Sequence, residues 1–334
     1  MKTTKNFKEP LPEYLEKMNC NVLCKTEGME RAEWLKYRQL GIGGSDIASM
    51  LGMNPFHSPL AFYWDKVGKI EDNEDENVPA EVGIALEPFM KKKLSEWLSK
   101  NKERVIVIHN CKYILQHPEN KIALANLDGV VEYEEGYLAI AEYKTTSARN
   151  YKNWEGENIP DYYYLQTQWY LYVTGLQKCY LAFLIGNQKF DVKIIERNDL
   201  VIEQLVKKTD EFWNTFIIPK VPPSPDGSMS SGETIKRMYP GEEEGKVIDI
   251  TSMENQEIIE RRDIAKQNMK ESKLEVDYCD QFLKVQMKDS EKAICSDKLI
   301  SWTTQDKKEY IVKASKSRVF RIGKYKVKQI KEEN

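Results

Sequence analysis

The sequence predicts an α/β fold with a C-terminal helical and basic β extension. Three observations predict it: glycine-punctuated helical runs up to about residue 98, a change to short β-rich runs from Val105, and alternation of helix and strand from Asp161 to Phe216. Short helices are expected over 31–39, 45–51 and 59–67, followed by an acidic loop at 71–77. A helix through Glu87 to about Leu98 contains Pro88, which either opens it at the first turn or kinks a longer one. Strand character then fills 105–108, 112–115, 122–133 and 137–144. A helix over 161–174 ends at Gly175, and a hairpin over 180–195 turns at Gly186-Asn187. An amphipathic helix over 200–216 has Leu200, Leu205, Phe212 and Phe216 as its buried candidates.

The run Val221-Pro222-Pro223-Ser224-Pro225-Asp226-Gly227-Ser228 has the composition of a linker. We therefore expect a core over 1–220, a linker and acidic segment over 221–250, and a C-terminal extension over 251–334. In the extension, Ala265, Met269, Ser272, Val276, Cys279 and Leu283 step by four and three, which suits a long helix packed against the same chain. The last stretch, 303–334, holds ten Lys and Arg against four acids. There Arg318, Arg321, Lys324, Lys326 and Lys328 either contact duplex phosphates or blunt an exposed edge strand.

With 41% hydrophobic and 31% charged residues, the chain has the composition of a soluble globular protein, and no apolar run approaches the ~18 residues of a membrane span. Met1-Lys2-Thr3-Thr4-Lys5 leads to Pro10 and Pro12 without an apolar stretch, so no secretory leader is expected. Six scattered cysteines and three histidines form no zinc or disulfide pattern, which points to reduced thiols in a cytosol; Cys20 and Cys24 are spaced as one helical turn. A net charge of −3 still permits a local basic groove for nucleic acid.

The chemistry concentrates in the hairpin. With Glu134-Glu135-Gly136 as the loop and Tyr133 facing Tyr137, Asp128 falls opposite Glu142, their Cβ atoms roughly 4.5–5.5 Å apart. Lys144 lies two residues on, on the same face, while Leu138 and Ile140 bury its other end. Two carboxylates this close repel unless a cation sits between them, and their oxygens suit Mg²⁺ or Mn²⁺ better than zinc. The same residues also fit a surface hairpin whose carboxylate clash is relieved by lysine. Gln166 and Tyr170 share a helix face; Gln166 is placed to bond Lys144 or a phosphate, or to be a satisfied core amide. Glu87 is a further metal ligand or a solvated helix carboxylate. In Arg38-Gln39-Leu40-Gly41-Ile42-Gly43-Gly44-Ser45-Asp46, Ser45 reads as an N-cap and Arg38 as a phosphate contact, although Asp46 opposes an anion there and the glycines alone fit a tight turn.

Trp34…Arg38…Gly41-Ile42-Gly43-Gly44-Ser45-Asp46, Gly83…Glu87, Leu127-Asp128-Gly129, Glu142-Tyr143-Lys144 and Gln166…Tyr170 stand in one order. In that order they resemble the YqaJ-like viral recombinase family, which is similar to phage lambda exonuclease within the PD-(D/E)XK nuclease superfamily. The resemblance covers roughly residues 30–215 and continues faintly through Ile300-Ser301-Trp302 and Ser317-Arg318-Val319-Phe320-Arg321. It implies a restriction-endonuclease-like core, a central mixed β-sheet flanked by helices. It also implies Mg²⁺ on Asp128, Glu142 and the Tyr143 carbonyl, with Glu87 in support, Lys144 serving the attacking water, and Gln166 placing Lys144 or the scissile phosphate. Arg38 and Ser45 match positions that hold a terminal 5′-phosphate.

The implied activity is a 5′→3′ exonuclease on double-stranded DNA ends that resects one strand for recombination in a phage or prophage setting, in the cytoplasm of a bacterial host. The implied partners are a single-strand annealing protein and, as a ring-shaped trimer, further copies of the chain. A structure-specific or single-strand nuclease and a non-catalytic DNA-binding scaffold are the competing readings. No Pro precedes Asp128, the iron–sulfur four-cysteine pattern is absent, and the extension beyond the linker has no counterpart in the compact lambda-type core.

Overall fold

The computed structural model of the protein describes residues 10–68, 78–306 and 320–322. A short helix α1 (Glu13–Glu16) buries Tyr14 and Leu15 and leads into strand β1 (Asn21–Lys25). Cys20 and Cys24 are thus not on a helix: Val22 and Cys24 alternate inward along a strand. Helices α2 (Arg31–Arg38), α3 (Gly44–Met50) and α4 (Pro59–Val67) follow. Helix α4 starts cleanly because the Ser58 hydroxyl accepts from the Ala61 amide at 3.1 Å and Pro59 occupies the first helical position. Helix α5 (Val78–Lys100) is the longer of the two alternatives for Pro88, which stands inside it. Pro88 is exposed, as is Ile84 one turn earlier, so the missing bond lies on the solvent side.

Strands β2 (Val105–Asn110), β3 (Tyr113–Gln116), β4 (Leu124–Ala125), β5 (Gly129–Tyr133) and β6 (Leu138–Thr146) come next. A 3₁₀ turn (Ala148–Trp154) and helix α6 (Asp161–Thr174) then cross over to the hairpin β7 (Lys178–Ile185) and β8 (Lys189–Glu196). Gly175 ends α6 in the left-handed conformation (φ 72°) that a glycine adopts without strain. The central sheet has the order β2-β5-β6-β7-β8; β6 and β7 are parallel and every other pair is antiparallel. The fold is therefore mixed α/β, with a central mixed five-stranded sheet flanked by helices.

The β-rich run over 122–133 is not one strand. Its first part, β4, joins β1 and β3 in a separate three-stranded sheet, and its second part, β5, enters the central sheet. Between them the chain is pinned by the Trp34 indole, which donates to the Asn126 side-chain oxygen at 3.1 Å, and by buried Leu127.

The two-residue period of the strands sorts the core onto both faces of the central sheet. One face carries Val130, Leu138, Ile140, Leu181 and Phe183 under Trp169 and Leu171 of α6. The other carries Val131, Tyr133, Ala139, Ala141, Tyr180 and Ala182 under Met90, Leu94 and Leu98 of α5. Helix α7 (Asp199–Phe212) passes into one π turn (Trp213–Ile217). Leu205 and Phe212 are buried as expected, but Leu200 is 77% exposed; the Asn198 side chain caps the helix, so Leu200 sits in the first turn and outside the buried stripe.

The stretch read as linker contains helix α8 (Met229–Met238), capped by the Ser228 hydroxyl. It packs beside α4, where the Ser58 amide donates to the Ser230 hydroxyl at 3.0 Å. The chain divides into two compact units after it, Met1–Tyr239 and Pro240–Asn334. The second unit contains helix α9 (Met253–Met287) and the hairpin β9 (Lys292–Cys295) and β10 (Lys298–Ser301). The expectation that α9 packs its seam against the same chain is not met among the described residues: Ala265, Met269, Ser272, Val276, Cys279 and Leu283 are all exposed. The seam is the reason, since Ser272 interrupts it and charged residues surround it. Of the basic tail, Arg321 is exposed, while Arg318, Lys324, Lys326 and Lys328 lie outside the described residues, as does the acidic loop at 71–77. Among the described residues no helix is long and apolar enough to cross a membrane. None of the six cysteines is in a disulfide.

Candidate active site

The hairpin between β5 and β6 closes on Gly136, whose φ of 82° is the left-handed conformation the loop needs. Its amide donates to the Tyr133 carbonyl at 2.8 Å, and the Tyr133 amide donates to the Tyr137 carbonyl at 3.1 Å. The register runs Glu132 to Leu138, Val131 to Ala139, Val130 to Ile140 and Gly129 to Ala141. One step further, Asp128 stands opposite Glu142, as the loop length predicts. Asp128 precedes the strand proper, and its Oδ2 accepts the Tyr143 amide at 2.8 Å.

Glu142 is the centre of the cluster. It is 2% exposed, and its Oε1 receives both the Lys144 ammonium at 2.8 Å and the Gln166 amide at 2.7 Å. The same Gln166 nitrogen donates to the Tyr170 hydroxyl at 3.0 Å. Lys144 also stands 5.1 Å above the Tyr163 ring. Burial and then the neighbouring Asp128 carboxylate push Glu142 up to about 8, although Lys144 opposes them. Burial likewise raises Asp128, against the pull of Lys144. Lys144 is raised, because the attraction of Glu142 and Asp128 outweighs its burial. The pair of carboxylates thus holds a proton readily while the lysine keeps its charge.

Glu142 Oε2 is buried with no hydrogen-bond partner. An acceptor left bare beside a second carboxylate fits a hard cation, which takes oxygen ligands. The ligands within the cluster would be Asp128 and Glu142, with water and backbone carbonyl oxygen completing the set. Among the described residues no three His, Cys, Asp or Glu side chains are grouped to hold a metal ion. Glu87 on α5 is half-buried and raised by burial and then by the charge of Asp128, so it lies within electrostatic reach of the pair without joining it.

A second cluster forms around Arg38. Its Nη2 donates to the Ser45 hydroxyl at 3.1 Å and pairs with Asp46, and its guanidinium lies 5.0 Å from the Trp34 ring centroid. Ser45 is not the cap of α3. Gly43 holds that position, and Asp46 reaches back to accept the Gly43 amide at 2.9 Å, so the local turn is closed by the aspartate. Arg38, Gly43, Gly44, Ser45, Asn126 and Tyr170 line one cleft. Gly44 is required there, because a Cβ would stand 2.5 Å from the Tyr170 ring and 2.9 Å from the Gln166 carbonyl. Tyr170 therefore touches the wall of this cleft and, through Gln166, the carboxylate centre.

The structure thus brings Asp128, Glu142, Lys144 and Gln166 into one bonded cluster and Arg38 with Ser45 into another, joined by Tyr170. Sequence reasoning did not find Lys66, whose ammonium donates to Asp46 Oδ2 at 2.8 Å and to the Arg38 carbonyl at 2.7 Å. It also did not find Tyr163 or Asn126. A lone lysine in an amphipathic helix carries no signal, and only the packing of α4 on α3 turns it inward.

The model of the family described as YqaJ-like viral recombinase domain matches residues 33–177. A curated relative, the uncharacterized protein YqaJ of Bacillus subtilis (strain 168), is 38% identical over 272 residues, which is 81% of this chain and 82% of the relative. Among solved structures, the alkaline exonuclease LHK-Exo from Laribacter hongkongensis overlaps 62% of this chain and 96% of its own, at 19% identity and a TM-score of 0.43. A phage-related exonuclease from Haemophilus somnus 129PT overlaps 62% of this chain and all of its own, at 12% identity and a TM-score of 0.36.

Proposed function

Since the chain belongs to the YqaJ-like viral recombinase family, we propose that it is a Mg²⁺-dependent nuclease of the PD-(D/E)XK type. On this reading it digests double-stranded DNA in the 5′→3′ direction from phosphorylated ends and supplies single strands to an annealing partner. The observation that carries the reading is the buried Glu142, with one oxygen bare, beside Asp128 and in contact with Lys144.

When bound by Asp128, Glu142 and the Tyr143 carbonyl, Mg²⁺ supplies charge neutralisation at the phosphate and a more acidic water. Lys144 orients the attacking water and offsets the charge that grows on the phosphate oxygens. Gln166 fixes the Glu142 carboxylate through Oε1, which keeps Oε2 turned toward the ligand side. Glu87 adds negative charge at the rim of the metal site. Arg38 and Ser45 hold the terminal 5′-phosphate, and Tyr170 couples that pocket to the carboxylates.

The test is digestion of 3′-labelled linear duplexes that carry either a 5′-phosphate or a 5′-hydroxyl, with Mg²⁺ or with EDTA. Faster loss of the phosphorylated ends, only with the metal, is the expected result. Glu142→Gln and Lys144→Ala should each lower the rate by about 100-fold or more. Equal cutting of closed circles and linear DNA would reject end-directed digestion and leave a nuclease. A second reading, a structure-specific or single-strand nuclease that ignores the terminal phosphate, draws support from Asp46, whose charge offsets that of Arg38. It requires equal rates on the two ends.

A further inference from the structure

We propose that Lys66 is a positioning residue for the terminal-phosphate pocket: it neutralises Asp46, leaves the positive charge of Arg38 free for the incoming anion, and so sets the preference for a 5′-phosphate over a 5′-hydroxyl. The inference rests on the end-directed reading above and deepens it. An arginine paired with an aspartate is a neutral unit, and a neutral unit has little preference for a dianion. Lys66 changes that sum, since two cations against one carboxylate leave a net positive charge at the cleft.

The geometry suits this role. The Lys66 side chain is 3% exposed, on α4, and its ammonium bonds both partners of the ion pair, Asp46 Oδ2 at 2.8 Å and the Arg38 carbonyl at 2.7 Å. It therefore ties the end of α2 to the start of α3. Asp46 Oδ2 also accepts the Gly43 amide, so this oxygen has two donors and the other is left to Arg38. Among the described residues the hydrogen bonds of Arg38 side-chain atoms all run through Nη2, which leaves Nε and Nη1 to a ligand. The Trp34 ring closes one face of the guanidinium. Closing the turn of α3 needs only the bond from Gly43 to Asp46, so a lysine buried here has work beyond that turn. Burial raises Asp46, but Arg38 and Lys66 outweigh it and hold the carboxyl at about 2, so Asp46 is ionised at neutral pH; burial lowers Lys66, and the Asp46 carboxylate opposes that shift.

The experiment measures equilibrium binding of 3′-fluorescein duplexes with a 5′-phosphate or a 5′-hydroxyl in EDTA, alongside their digestion rates in Mg²⁺, with folding followed by circular dichroism. Lys66→Met should lower the phosphate preference about tenfold. The double variant Asp46→Asn/Lys66→Met should regain most of it, because Arg38 is no longer cancelled. Asp46→Asn alone should exceed the wild-type preference, and it carries the test if Lys66→Met does not fold. A folded Lys66→Met that keeps the wild-type preference, or an Asp46→Asn at or below it, overturns the proposal. A wild-type protein that treats both ends alike overturns the end-directed reading itself, which separates the two failures.

Discussion

Glu142 accepts two donors on one oxygen and none on the other, and its side chain is buried. Its acidity therefore governs how the protein without metal responds to pH. A glutamate in the unfolded chain ionises near about 4.3, whereas burial and Asp128 lift the folded group to about 8. Between these values the folded state holds a proton that the unfolded state has released. That contribution to stability is complete below about pH 4.3 and is lost as pH rises through about 8. Denaturant titrations in EDTA should show wild type losing stability relative to Glu142→Gln across this window, and Mg²⁺ should reverse the loss in wild type alone. A constant difference between the two proteins across the window would reject this account. Gln166 gives a second prediction at this scale. Gln166→Met removes the donor to Glu142 Oε1 and Tyr170, and should lower the cleavage rate about 10- to 100-fold, a typical effect of losing the group that orients a ligand. An unchanged rate would leave Gln166 as a core amide only.

At the scale of elements, the joint between α3 and α6 is the critical one, because it connects the two clusters. Gly44→Ala places a methyl 2.5 Å from the Tyr170 ring and 2.9 Å from the backbone at Gln166, and backbone cannot yield as a side-chain tip can. The expected cost is about 1–3 kcal/mol, read from chemical denaturation, with a larger loss on phosphorylated ends than on hydroxyl ends. A Gly44→Ala protein with wild-type stability would mean that the two helices separate freely. The local elements of this region were legible in the sequence wherever chemistry and period agreed. The loop 134–136 determined the register, Gly175 the end of α6, and Ser58-Pro59 the start of α4. Less legible was whatever depends on partners distant in sequence. The run over 122–133 has β character throughout, and nothing local says that its two halves join different sheets. The sequence predicts Ser45 as the cap of α3, whereas Gly43 holds that position, because Asp46 closes the turn and meets Lys66 from another helix.

At the scale of the molecule, the chain between Tyr239 and Met253 is exposed throughout and joins two compact units. It contains Glu242, Glu243 and Glu244. Limited digestion with a glutamate-specific protease should cut there first and release a fragment close to residues 1–243, visible by mass spectrometry. Earlier cutting inside α6 or the central sheet would contradict the division. The sequence predicts a core over 1–220 and a linker and acidic segment over 221–250, whereas α8, inside that segment, packs beside α4 and falls in the first unit. Composition identifies a flexible stretch; it does not show which side keeps the next helix. The apolar steps along α9 were legible as a helix, yet they did not reveal that its seam stays exposed among the described residues.

The hairpin loop at Glu134-Glu135-Gly136 acts as a gauge for chemistry it never touches. Asp128 lies six residues before the start of that loop, roughly 20 Å along the strand. Strand β6 pairs on its far side with β7 and β5 on its far side with β2, so the loop sets how the two halves of the sheet meet. One inserted residue shifts the pairing by one step, and with a period of two that turns Asp128 away from Glu142. The spacing of the two carboxylates is thus written at the opposite end of the hairpin, in the number of residues between Tyr133 and Tyr137.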